Sequence, residues 1–491
     1  VAAESFTSVP VTWNETPGLL KEYADYHFIE GVTHNVFHTY THNPQIDYLK
    51  PGTSFGATIG TPFLRGQTWW KHMNEFTTYL ARCSYMLERG RAVSDVLWYL
   101  GDEYEHKPDQ YYPFPVGYRY DYCNTDALLN RLSVTDGMWT TPEGIRYPLM
   151  WIPRTGRLHP ETLERLLLLV RQGGVLLAEA PLGISTLAND ANQQSRFRTA
   201  LSQLWPSAAN HVHKLGKGCV LSGMTIENAL RHLGLQPDVQ GIGNQWLHRQ
   251  TEGADWYYLS AEQEATFQGN VTFHATGRAE LWNPVTGQLT ELPQHRQGEF
   301  TTVNLRLHQG ESAFVVFRHG KPVTTFRTPE TFRTHNLSEA QWQVTFPQGW
   351  GIEGTVSTNR LLPWKDLLST AEGKAFSGTA TYRTTLHLDA FSRKHRYVLQ
   401  LGKVDMIAVL RVNGKEVATL WSEPYEADLS DYLQKGENTI EVDVTSTWFN
   451  RLAFDAAQPE ADRKTWTIEG PKAGSALKSY GLLGPVTLKF N

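Results

Sequence analysis

The segment AVLRVNGKEVATL, residues Ala408–Leu420, carries the clearest fold signal in the chain. Apolar and polar residues alternate through Ala408–Val412 and again through Lys415–Leu420, the period of a strand with one face buried. Between them stand Asn413 and Gly414, the pair that most readily takes φ > 0 at both positions, so the spacing predicts a type I′ hairpin. Further alternating runs at Thr379–Leu388, Tyr397–Leu401 and Asn438–Val444 extend the pattern. Residues 331–491 therefore read as a β-sandwich.

Working back toward the N-terminus, residues 239–330 are also all-β and form a second, small β-sandwich. Trp256–Leu259, Ala279–Pro284 and Ser312–Phe317 read as its strands, with a turn at Thr286-Gly287. The Thr/Pro/Arg-rich stretch 319–335 is the expected linker. Residues 91–238 change character. Val93–Leu100, Tyr147–Pro153 and Val175–Ala178 are apolar strands. A helix with Pro160 near its start and Gly173-Gly174 at its end lies before the last of them. Strand–helix–strand alternation predicts an α/β domain with a parallel sheet. No glycine-rich phosphate loop accompanies it, so no nucleotide is assigned.

Residues 1–90 give two βα units. A strand ends near Glu4, and a helix follows over Gly18–Glu30. A second strand lies in Gly31–His38, and after an irregular Pro/Gly-rich stretch a second helix spans Gln67–Glu88. A complete (β/α)8 barrel takes about 250 residues, so if these units belong to one they are expected to be only its last part. The fold class is thus multidomain, α/β plus all-β. At 491 residues the chain exceeds what one hydrophobic core serves, which agrees with several domains.

Composition excludes more than it assigns. A net charge of −5 carries no basic signature for nucleic acid. No apolar run reaches the roughly 20 residues of a membrane span. Cys83, Cys123 and Cys219 are far apart and odd in number, so they build no disulfide framework. Sixteen tryptophans are many for this length, and indole faces stack on the C–H faces of sugar rings; strands and cores use them too. The chain opens directly on a strand-like stretch without Met or leader. It is expected to be the C-terminal part of something longer, with any export signal in that missing part.

Glu4 is the first candidate for chemistry. In a barrel the C-terminal ends of the strands face the active site, and glycoside hydrolysis needs two carboxyl groups. The second candidate is His38-Thr39-Tyr40-Thr41-His42, where alternation puts His38, Tyr40 and His42 on one face. Three uses of that face stay open: hydrogen bonds to sugar hydroxyls with Tyr40 stacking, capping of loop backbone, or a zinc ion shared by the imidazoles. Of the adjacent pair Trp69-Trp70, Trp70 fits the apolar helical face and Trp69 could border a cleft, with core or interface packing the expected role of both.

The runs AESFTS, GVTHNVFHTYTHNP, the Pro-Gly…Gly loop and RGQTWW together resemble the late-barrel motifs of glycoside hydrolase family 106 α-L-rhamnosidases. The similarity in organisation spans nearly the whole chain and includes a final sugar-binding-like (jelly-roll) sandwich containing VLRVNGKEVATLW. The α/β unit is similar, more loosely, to the flavodoxin-like domain beside the barrel of family 42 β-galactosidases. The resemblance implies that Glu4 is the general base, activating water against the anomeric carbon of an α-L-rhamnoside with inversion. It implies that His38, Tyr40 and His42 line the sugar pocket, and that the general acid lies on an earlier strand absent from this sequence. It also implies calcium, with no ligands identified here, and a periplasmic or secreted location. The substrate class is terminal α-L-rhamnose on pectin-type plant polysaccharide or on glycosides. Two competing readings remain: a retaining, β-galactosidase-like hydrolase, and a non-catalytic carbohydrate-binding assembly. The β-domains are expected to buttress the barrel rather than to bind sugar.

Overall fold

The computed structural model describes residues 1–7, 13–38, 40–44, 49–53, 60–103, 112–153, 156–186, 190–206, 211–261, 265–319, 332–352 and 354–491. Strand β1 (Ala2–Ser5) pairs in parallel with β2 (His34–Phe37), with Glu4 opposite Val36. Helix α1 (Pro17–Ile29) connects them. Thr16 caps its N-terminus by accepting from the Leu19 amide, and Pro17 occupies the position where no amide donor is needed. Helix α2 (Met73–Glu88) follows β2, preceded by a 3₁₀ turn at Trp70–His72.

That turn corrects one expectation. The α-helix begins at Met73, not Gln67, so the helical phase does not extend to the tryptophan pair. Trp69 is the fully buried ring, edge-on to Phe63 at 6.2 Å, and Trp70 is only partly buried, 6.5 Å from Tyr40.

Residues beyond α2 form a six-stranded sheet. Its spatial order is Val212–Leu215, Gly218–Leu221, Val175–Ala178, Leu149–Ile152, Val96–Tyr99 and Tyr120–Cys123. All neighbours are parallel except the first pair. Helix Pro160–Gln172 buries Leu163, Leu166, Leu169 and Val170 against it and stops at Gly173, whose φ of 132° suits only glycine. Both faces of this sheet are covered, which is why its strands read as unbroken apolar runs.

The small β-sandwich packs a four-stranded sheet on a six-stranded one. Arg91–Ala92, at the boundary read as the start of the α/β unit, instead supplies an edge strand here, antiparallel to Trp246–Gln250. The central strands Ala254–Ser260 and Ser312–Arg318 are buried on both faces. Tyr257, Val315 and Phe317 point into the sandwich, while Tyr258, Phe314 and Val316 face α1 and α2. Their non-alternating sequence records that double burial.

The second sandwich again combines sheets of four and six strands around Trp342, Tyr382, Leu399, Leu410, Ile440 and Val442. Its hairpin forms as the sequence predicts, with φ of 52° at Asn413 and 76° at Gly414. Of the linker expected at 319–335, residues 320–331 lie outside the described residues, and Arg333–Asn336 already forms an edge strand.

A buried polar cluster locks the helices to the small sandwich. Lys21 Nζ donates to Asp25 Oδ2 at 2.6 Å, Gly310 O at 2.8 Å and Ser312 Oγ at 3.0 Å. The Tyr258 hydroxyl donates to Asp25 Oδ1 at 2.8 Å, and the Tyr79 hydroxyl donates to the same oxygen. Burial first, then the Asp25 charge, raises both phenols far above their ordinary range, so both stay protonated and can donate to Asp25.

Candidate active site

Glu4 stands at the C-terminal end of β1, with its side chain on the exposed face of the two-stranded sheet. Its Oε1 accepts from Thr7 Oγ1 at 2.7 Å; among the described residues its other oxygen has no partner. The backbone reverses sharply just beyond it, since Phe6 has φ of 66°. A bulky residue holds that conformation only where its surroundings fix it. Here the Phe6 ring is set among Phe37, Phe63 and Phe76, with centroids 5.4–6.0 Å away, and Phe6 O accepts from Thr61 N. The turn at Phe6 carries Thr7 back over Glu4.

A cleft of about 490 Å³ opens beside the edge of β1. Its lining includes Glu4, Thr7 and the largely buried Glu15, together with Tyr23, His27 and Val32. Ser5 Oγ donates to Asn35 Oδ1 at 2.8 Å, tying β1 to β2 beneath it. Thr7 and Glu15 went unnoticed in the sequence. Glu15 precedes the helix cap at Thr16, and position alone gave it no distinguishing signal.

The His38–His42 motif arranges differently from the expectation. Strand β2 ends at Phe37, so alternation does not continue through it. His38 is half-buried, close against Gly60, while Tyr40 and His42 are exposed; Thr39 lies outside the described residues. None of His38, Tyr40 or His42 lines the cleft at Glu4. Among the described residues no three His, Cys, Asp or Glu side chains gather as metal ligands. The zinc alternative therefore finds no ligand set among them. His72, on the turn beyond Trp70, is pushed down to about 4, mainly by burial and then by Lys71, against the pull of Asp443.

The loops above β1 and β2 are held from outside by the second sandwich. Between its strands Gly436–Thr445 and Gly481–Gly484 an arm, residues 446–480, reaches across to them. Trp13, in Glu4's own loop, donates its indole N–H to Glu469 O at 2.7 Å. Lys50–Pro51, in the loop after β2, pairs in parallel with Thr465–Trp466, and Gly52 N donates to Trp466 O at 3.0 Å. Trp448 Nε1 donates to Gly66 O at 2.7 Å. Asn43 staples the same loop, bonding both the amide and the carbonyl of Thr53.

A carboxylate at the tip of a parallel strand, beside a cleft and braced by β-sandwiches, is a setting in which glycoside hydrolases work; residues 370–477 match the galactose-binding-like domain of glycosyl hydrolase family 2. Residues 1–297, more than half the chain, match the α-L-rhamnosidases of glycoside hydrolase family 106, and the chain belongs to that family. It is similar to a rhamnosidase from Novosphingobium sp. PP1Y, at 32 % identity and a TM-score of 0.90 over 100 % of this chain and 48 % of that one. It is also 30 % identical, over 332 residues, to a Formosa agariphila protein provisionally named a β-glucuronidase, covering 65 % of this chain and 27 % of that protein. The chain thus spans about half the length of the first and about a quarter of the second. No described helix is long and apolar enough to cross a membrane.

Proposed function

We propose that this chain carries the general base of an inverting α-L-rhamnosidase, and that Glu4 is that base. The observation that carries the reading is the placement of Glu4. One carboxylate oxygen is fixed by Thr7, and the other is open beside the cleft at the C-terminal end of β1. A base so held can accept a proton from water only along the free oxygen's direction, which aims the water's attack. In an inverting pair the second carboxyl stands about 6.5–9.5 Å away, leaving room for that water.

That second group, the general acid, comes in this reading from preceding barrel strands. Tyr23 and Tyr26 on α1 and Val36 on β2 are exposed apolar groups, at 52 %, 55 % and 51 %. Parallel sheets are normally covered on both faces, and β1 has an unpaired edge. A preceding βα unit docked there covers these groups and pairs the free edge of β1. Calcium belongs to this reading with no ligands assigned. The α/β unit reads as flavodoxin-like: its five parallel strands run 2-1-3-4-5 in space. The substrate is a rhamnose-terminated glycan or glycoside, with His38, Tyr40 and His42 reaching it from the rim loop. The product's configuration tests the mechanism. With the full-length protein and an aryl α-L-rhamnoside, proton NMR at early times should show β-L-rhamnose first. The α-anomer appearing first refutes inversion and favours a retaining hydrolase.

A further inference from the structure

We infer that Trp466, on the arm of the second sandwich, is the stacking platform for the sugar on the leaving-group side of the scissile bond. The inference rests on the rhamnosidase reading and deepens it. An enzyme that removes a terminal sugar encloses that sugar, so the rest of the glycan projects past the rim. The rim here is the pair of loops above β1 and β2, and the arm is bonded to both, at Trp13–Glu469 and at Pro51–Trp466.

The direction of the indole follows from the strand. Thr465 is buried and turned inward, donating to Asp455 Oδ2 at 2.6 Å. Successive side chains of a strand point to opposite sides. Trp466 therefore points outward; it is 48 % exposed, and Ile468, two residues on, is 58 % exposed. The backbone anchor is strong: the buried Arg451 pairs with Asp455 at 2.8 Å and with Glu372 at 2.9 Å, and Lys464 Nζ reaches the same Glu372 oxygen at 2.6 Å. These contacts bracket the Trp466 backbone on one side and Gly52 holds it on the other, so the ring is presented without cost in backbone order. A pyranose offers such a ring its C–H face, and the indole N–H can still bond outward.

The test compares full-length wild type, Trp466→Ala and Trp466→Phe on methyl α-L-rhamnoside and on a rhamnosyl disaccharide. Trp466→Ala should lower kcat/KM for the disaccharide about tenfold, mostly through KM, and change the methyl glycoside by less than about twofold. Trp466→Phe should recover most of the loss. Equal losses on the two substrates would mean that the arm only braces the loops, and no loss on either would remove Trp466 from recognition. A wild type inactive on both substrates would overturn the rhamnosidase reading itself, and the inference with it.

Discussion

Replacing Lys21 by Met removes one charge from a site with almost no access to water. Its ammonium and the Asp25 carboxylate are 1 % and 3 % exposed and 2.6 Å apart. After the change Asp25 keeps two phenolic donors, but its charge is uncompensated, and Gly310 O and Ser312 Oγ each lose a donor. Breaking one side of a buried ion pair costs about 3–5 kcal/mol. The loss falls where α1 and α2 meet the small sandwich, so it should appear in the transition that separates them. We expect the urea midpoint of that transition, followed by near-ultraviolet circular dichroism, to fall by the equivalent of about 3–5 kcal/mol. Lys21→Met combined with Asp25→Leu removes both charges and should recover more than half of it. A single variant that loses less than about 1 kcal/mol, or a double variant no better than the single, refutes the reasoning.

Two further outcomes follow from other sites. Burial alone lowers the pKa of His248, but Asp238 at 2.7 Å and Asp255 at 3.1 Å outweigh it and raise it to about 9. A raised folded pKa stabilises fully below the unfolded value near 6.5 and is lost as pH passes 9. Thermal stability should therefore fall by about 3 kcal/mol between pH 6.5 and 9, and Asp238→Asn should flatten that slope in a calorimetric pH series. Thr7→Val removes the hydroxyl that fixes Glu4; in the full-length protein kcat should drop about fivefold to tenfold with KM little changed, read in steady-state assays.

Local signals in the sequence were sound wherever contacts are local. The first helix, the strand ending near Glu4, the hairpin at Asn413-Gly414 and the glycine stop at Gly173 formed as read, because propensity, capping and period act over a few residues; the second helix formed too, but six residues later than read. Phase was the weak point. A 3₁₀ turn at Trp70–His72 took the pair out of the helical phase, so Trp69, not Trp70, is the fully buried ring, and the end of β2 at Phe37 left His38, Tyr40 and His42 without a common strand face. Lys21 and Asp25, four apart, look like any surface pair; only Tyr258 and Ser312, more than two hundred residues away, make them a buried cluster. The arm was illegible for the same reason: nothing near Trp466 announces that Pro51 is its partner. Glu4 stood out through its position at a strand end and its family motif, while Thr7 and Glu15 needed the turn at Phe6 and the cleft to gain meaning.

The central claim is that Glu4 activates water. The most direct measurement is kcat of full-length wild type and Glu4→Gln on an aryl α-L-rhamnoside, with both proteins shown to have the same thermal midpoint. The account predicts a loss of about 10²-fold or more in the variant, with KM nearly unchanged. A Glu4→Gln enzyme that turns over as fast as wild type would contradict it.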